Sequence, residues 1–164
     1  MENRGRGTRA EYWRYRKEEE LARAEESART IALIAHDNKK QDLCDWAREH
    51  RETLAHYRLC GTGSTAKLVS SDLGLDVAAL QHGPLGGDVQ IGAMIVDGLV
   101  DAVVFFWDPL EPQPHDPDVK ALIRLATVWD VPTACNRSTA DAVLLSLEAE
   151  TRRVWDLNPE TEVA

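Results

Sequence analysis

The chain has 164 residues, 43% hydrophobic and 29% charged, enough for one globular domain with its own core but not for a second catalytic domain. A formal charge of -9 and a pI near 5.0 exclude a basic nucleic-acid-binding face, so an anionic substrate would have to be drawn by a local site rather than by the whole molecule. No apolar run reaches membrane-spanning length, MENRGRGTRAEYWRYRKEEE lacks the apolar stretch of a secretory signal, and Cys44, Cys60 and Cys135 form no CxxC pair; a cytoplasmic protein without membrane contact, disulfide framework or thiolate zinc site is expected.

Residues 1–29 carry eight Lys or Arg and seven Asp or Glu, with Tyr12, Trp13, Tyr15 and Leu21 as the main large apolar side chains. The mixed signs predict a charged helical extension, solvated or docked by one edge, rather than a nucleic-acid or membrane arm. No chemistry is assigned to it.

From residue 30 the pattern changes to short apolar runs, each followed by a polar loop and a helical stretch, as in repeated βα units. Strands are predicted at 31–36, 56–60, 76–80, 101–107 and 132–135, and helices at about 38–54, 64–73, 88–97, 117–130 and 138–147. Gly74 and Gly98 fit helix stops, and Asp116 before Pro117 fits an N-cap with proline at the first helical position. Helical connections between strands predict a three-layer α/β/α, Rossmann-like domain with an open, mainly parallel five-stranded sheet. This domain is expected over 30–158, with 159–164 as a tail.

In such sheets ligands bind beyond the carboxyl ends of the strands. The unusual polar residues collect there: His36 to Lys40 after the first strand, Gly61 to Thr65 after the second, His82 to Asp88 after the third, and Trp107 to Asp118 after the fourth. The segment Gly61-Thr62-Gly63-Ser64-Thr65 has the composition of a phosphate cradle, in which glycine admits close backbone approach while hydroxyls and helix N–H groups donate to an anion. It lacks the lysine of a Walker loop, and a plain helix-capping turn fits it equally well. Lys40 reads either as a point charge on the same anion or as a solvated helix lysine.

Asp88 ends HGPLGGD just before an apolar helix, which suits an N-cap. It also suits a general base, because a carboxylate in a partly dry pocket is tuned toward operating pH. His36 and His115 read either as loop or core histidines or as donors to a carbonyl oxygen that gains charge. Asp37, Asp108 and Asp118 either orient those imidazoles or cap turns.

The strings IALIAHDNKK, GTGST, GPLGGD and FFWDP followed by PHDPDVKALIRLATVW resemble methylglyoxal synthase over about residues 30–147. HDPDVKALIRLATVW and GPLGGDVQIGA are specific, since each joins a loop motif to its helix. Effector-binding domains of the same fold, such as the regulatory domain of carbamoyl phosphate synthetase, share the architecture but are not expected to carry this set of loops.

The resemblance implies a methylglyoxal synthase-like fold and a lyase that needs neither cofactor nor metal. It converts dihydroxyacetone phosphate to methylglyoxal and inorganic phosphate, which also inhibits. It implies Asp88 as catalytic base and His115 as electrophilic partner, with Asp118 grouped beside them. His36, Lys40, Thr62, Gly63, Ser64, Thr65, His82, Gly83 and His115 would surround the substrate, with Asp37 and Asp108 in support. It further implies a homohexamer.

Two departures stand out. Position 82 is His where a small hydroxyl residue is expected. The sequence closes on LLSLEAETRRVWDLNPETEVA, where several members of the family continue into a longer basic helix, and Arg152 and Arg153 are the candidates for the cations of that helix. Two other classes stay open: a non-catalytic regulatory module binding a phosphorylated metabolite, and a metal-dependent hydrolase using His36, Asp37, Asp108, His115 and Asp118. No compact ligand motif such as HExxH is present.

Overall fold

The computed structural model describes residues 29–112 and 114–157. The expected N-terminal extension, the tail and the side chains of Arg152 and Arg153 lie outside the described residues. Five strands form one sheet: β1 (Thr30–Ala35), β2 (Arg58–Gly61), β3 (Val77–Ala79), β4 (Ala102–Phe106) and β5 (Thr133–Ala134). All pairings are parallel and the order is β3-β2-β1-β4-β5. The helices are α1 (Lys40–Glu49), α2 (Arg51–Leu54), α3 (Gly63–Leu73), α4 (Gly87–Val96), α5 (Asp116–Val128) and α6 (Arg137–Leu157).

Covering both faces of a parallel sheet explains the unbroken apolar run of β1, in which all six residues are buried. Its side chains alternate between two cores. Ile31, Leu33 and Ala35 pack with Leu43, Trp46 and Ala47 of α1, Val69 of α3 and Leu144 of α6. Ala32 and Ile34 pack with Ile91 and Ile95 of α4 and with Val119 and Leu122 of α5. Each fully buried Leu, Ile or Phe side chain contributes about 1.5–3 kcal/mol. Cys44 and Cys60 belong to these cores, and burial pushes the Cys60 thiol up to about 11, so it acts as a small hydrophobe.

The connections leaving β1 and β2 run through α1, α2 and α3 on one face, while those leaving β3 and β4 run through α4 and α5 on the other. Strand order turns between β1 and β4, so the loops after these two neighbours flank a crevice at the carboxyl edge.

Several boundaries differ from the sequence expectation. The helix expected at 38–54 is a 3-10 turn at Asp37–Lys39 followed by α1 and α2, broken at His50, whose φ is -104° and ψ 19°. No Gly or Pro marks that break; the imidazole is tied through Nε2 to Asp141 Oδ1 of α6 at 2.9 Å, a tertiary contact that local sequence does not announce. β3 and β5 are shorter than expected, as suits edge strands. The last helix runs to Leu157 instead of 147. Gly74 caps α3 as expected, with φ +64°. At α5 the N-cap is His115, so Asp116 is already helical and Pro117 follows it.

Candidate active site

His36 is the first residue beyond β1, and its N–H donates to Phe106 O at 3.2 Å, continuing the β1–β4 ladder by one rung. Its ring packs edge-on against Phe105 at 5.2 Å, and Nδ1 accepts the backbone N–H of Asp108 at 3.2 Å. A neutral imidazole that accepts at Nδ1 carries its proton at Nε2. That Nε2 is buried and has no hydrogen-bond partner among the described residues. Burial, and then the neighbouring His115, hold the His36 pKa below the usual histidine value, against weaker opposing pulls from Asp108 and Asp37.

Asp88 stands in the first turn of α4, 2% exposed, and so is not the N-cap, which is Gly86. Glycine is required at position 87 because the backbone doubles back closely, and at position 83 it leaves room for the side chains of the site. A Cβ on Gly87 would lie 2.2 Å from the carbonyl oxygen of Gln81, and one on Gly83 would lie 3.1 Å from His115 Nε2 and 3.4 Å from Asp88 Oδ2. Burial raises the Asp88 pKa, His115 opposes the rise and Asp118 adds to it. Asp88 Oδ2 lies 3.4 Å from His115 Nε2, within ion-pair range but without hydrogen-bond geometry. His115 Nδ1 is likewise buried and unpartnered among the described residues, and the His36 and His115 rings meet edge to face at 5.9 Å.

The mouth of the crevice is lined by His36, Asp37, Thr62, Ser64, Gly83, Asp88 and His115. Ile34, Ala35 and Pro84, which sequence reasoning did not select, complete the lining. Only their placement at strand ends and in HGPLGGD signalled them. Thr62 is the N-cap of α3, yet its hydroxyl donates to Thr65 Oγ1 at 3.2 Å instead of capping the helix. Thr65 donates in turn to Ala35 O at 3.5 Å, so it braces the loop from behind. The Gly63 amide is engaged by Gln81 O at 3.1 Å, while the first α-helical bond runs from Ala66 to Thr62. The amides of Ser64 and Thr65 are therefore first-turn donors without an intrahelical acceptor, suited to an anion.

Other candidates stand outside the lining. Lys40 is half-buried and pairs with the exposed Asp37, whose carboxyl it holds below the usual range, first by the hydrogen bond and then by its charge. His82 is exposed; its ring edge lies 3.5 Å from where a Gly63 Cβ would sit, beside the start of α3. Asp118 bears on the site through its charge on Asp88. Asp108 turns its carboxylate away: Oδ1 accepts from the Leu110 N–H at 3.0 Å and Oδ2 from Asn38 Nδ2 at 3.2 Å, and these bonds, in that order, lower its pKa. Asn38 carries no distinguishing signal in the sequence, where it reads as one more polar residue of a turn.

Two of the residues proposed for a metal have other partners: Asp37 pairs with Lys40, and Asp108 is satisfied by two N–H donors. Among the described residues no group of three or more His, Cys, Asp or Glu is placed to hold a metal ion, and no helix is long and apolar enough to cross a membrane.

The family model described as MGS-like domain matches residues 42–135. The chain is 56% identical over 118 residues to the methylglyoxal synthase of Cellvibrio japonicus, covering 72% of this chain and 77% of that protein. It is 48% identical over 135 residues to the methylglyoxal synthase of Coxiella burnetii, covering 82% and 92%. Among solved structures, that of methylglyoxal synthase from Elizabethkingia anophelis NUHP1 superposes with a TM-score of 0.68 at 53% identity, covering 71% of this chain and 77% of that one.

Proposed function

The chain belongs to the methylglyoxal synthase family, and from that membership we propose that it converts dihydroxyacetone phosphate to methylglyoxal and inorganic phosphate, as a carbon–oxygen lyase. The observation that carries the reading at residue level is the pair of Asp88 Oδ2 and His115 Nε2, 3.4 Å apart in a crevice beside the first turn of α3. Ligand binding alone needs no base, whereas a buried carboxylate whose pKa is raised by desolvation suits one.

In this reading Asp88 takes a proton from C3 of the substrate, and the electron pair of that C–H bond passes through C2 to the carbonyl oxygen. His115 and the Nε2–H of His36 stabilise the charge that grows there, giving an enediolate. The C3 hydroxyl then gives up its proton and becomes the aldehyde C3=O, the C2–C3 π pair shifts to C1–C2, and the C1–O bond breaks with its electron pair leaving on phosphate; the released enol, protonated on the C2 oxygen, ketonises to methylglyoxal. Expulsion requires the C1–O bond to lie across the plane of the enediolate π system; held in that plane, the same intermediate would be isomerised instead. Thr62, Ser64, Gly83 and the free amides at the start of α3 are the groups suited to set that torsion. Lys40 and His82 border the same phosphate, while Gly63 and Thr65 shape the loop and Asp37 and Asp108 hold Lys40 and His36.

We assign the protein to the cytoplasm, divide it into an extension over 1–29, the catalytic domain over 30–158 and a tail over 159–164, and expect a homohexamer inhibited by phosphate. The test is an assay of methylglyoxal formation from dihydroxyacetone phosphate before and after EDTA treatment. Retained activity supports the synthase; activity lost on chelation points to a metal, and no turnover under either condition points to a binding module.

A further inference from the structure

The loop after β1 and the loop after β4 are joined by a closed ring of contacts. His36 and Asn38 belong to one turn, tightened by the Lys39 N–H donating to His36 O at 2.8 Å. Both grip one residue of the opposite loop. His36 Nδ1 accepts the Asp108 backbone N–H at 3.2 Å, and Asn38 Nδ2 donates to the Asp108 carboxylate at 3.2 Å. The same amide also donates to Glu111. A primary amide has two N–H donors on one nitrogen, and here both are spent on carboxylates that would repel each other without it.

The Asp108 peptide lies where β4 has ended and the Trp107 N–H has turned back to Phe105 O at 2.8 Å, so the sheet no longer fixes its direction. Its own side-chain bonds, to Leu110 and Asn38, do so instead. We propose that Asn38 is a positioning residue for the reaction: by clamping Asp108 it aims that backbone N–H at His36 Nδ1 and so keeps His36 in the Nε2–H tautomer that faces the crevice. The other tautomer would set two donors against each other at Nδ1 and turn a bare lone pair toward the substrate oxygen. An aspartate at position 38 would add a third carboxylate to Asp108 and Glu111, and an alanine would leave those two unbridged.

The rate effect rests on the reading of His36 as a substrate-facing donor; the tautomer effect does not. The experiment therefore has two readouts on Asn38→Ala and Asn38→Asp. Imidazole nitrogen NMR shifts of the free protein, which separate protonated from bare ring nitrogens, are expected to show one Nε2–H form of His36 in the parent and a mixture in both variants. Turnover number is expected to fall about tenfold with KM and inhibition by inorganic phosphate within about twofold, because donor aim matters most as charge develops. An unchanged His36 tautomer in both variants overturns the clamp whatever the rates, and an altered tautomer with full turnover overturns its role in the reaction. A parent protein inactive on dihydroxyacetone phosphate would overturn the functional reading while the NMR result still decides the clamp.

Discussion

Asp88 Oδ2 and His115 Nε2 face each other at 3.4 Å across the space that a Gly83 side chain would fill. The carboxylate is 2% exposed, and neither that oxygen nor His115 Nδ1 has a hydrogen-bond partner among the described residues. Buried polar atoms left in this state destabilise a fold, so their concentration in one crevice marks a place where function outweighs stability.

Asp88→Asn is expected to abolish turnover while preserving binding of inorganic phosphate, since shape is kept and basicity lost. Burial raises the folded-state pKa of Asp88, so the parent holds full stability from this group only below the unfolded carboxylate pKa and loses it as pH rises through the folded one. At neutral pH the variant escapes that loss and should melt higher, by about 2–4 °C for each kcal/mol relieved. Calorimetry at pH 4 and pH 7 checks the sign, with the difference between the two proteins expected to widen at the higher pH. Near-normal activity in the variant would remove Asp88 as the base.

Gly83→Ala inserts a methyl 3.1 Å from His115 Nε2 and 3.4 Å from Asp88 Oδ2. These are side-chain atoms of the proposed base and its proposed partner, so the fold is expected to survive while the two are pushed apart. Turnover should fall by about tenfold or more with a small change in melting temperature. Equal losses of turnover and stability would show instead that Gly83 matters only to the turn.

Lys40→Ala should raise KM and weaken competition by inorganic phosphate, because a cation that contacts the phosphate acts in the ground state as well as later. Lys40 is paired with Asp37, so Asp37→Asn gives the counterpart: freeing the ammonium should tighten phosphate inhibition. Inhibition constants unchanged in both variants would take Lys40 out of the phosphate site.

The sequence revealed the crevice more clearly than the roles of the residues around it. Strand ends followed by glycine, hydroxyl and histidine are a one-dimensional signal, and His36, Thr62, Ser64, Gly83, Asp88 and His115 indeed meet in one place. Which way a side chain turns within such a loop is a tertiary outcome. Thr65 is drawn back to Ala35 O and Asp108 to Asn38 by partners 30 and 70 residues away. Helix breaks obey the same logic: His50 interrupts a good helical run because Asp141 holds its ring, 91 residues distant. Periodicity, which is local, carries no trace of these bonds.

The last prediction concerns assembly. Leu85, 71% exposed, ends the 3-10 turn that precedes α4, and Val89, 57% exposed, follows Asp88 in the first turn of α4. Leu110, 92% exposed, crowns the opposite loop two residues beyond Asp108. Large apolar side chains on the loops beside the crevice are costly in water unless another surface covers them, and closed point-group assemblies of identical chains are the usual cover. A hexamer would bring a neighbouring subunit against these loops and link the sites, so that phosphate gives sigmoidal substrate kinetics. Light scattering coupled to size exclusion should return about six times the chain mass of 18.3 kDa. Val89→Lys should shift the particle toward smaller species and lower activity together, and a fully active monomer would end the hexamer expectation for this chain.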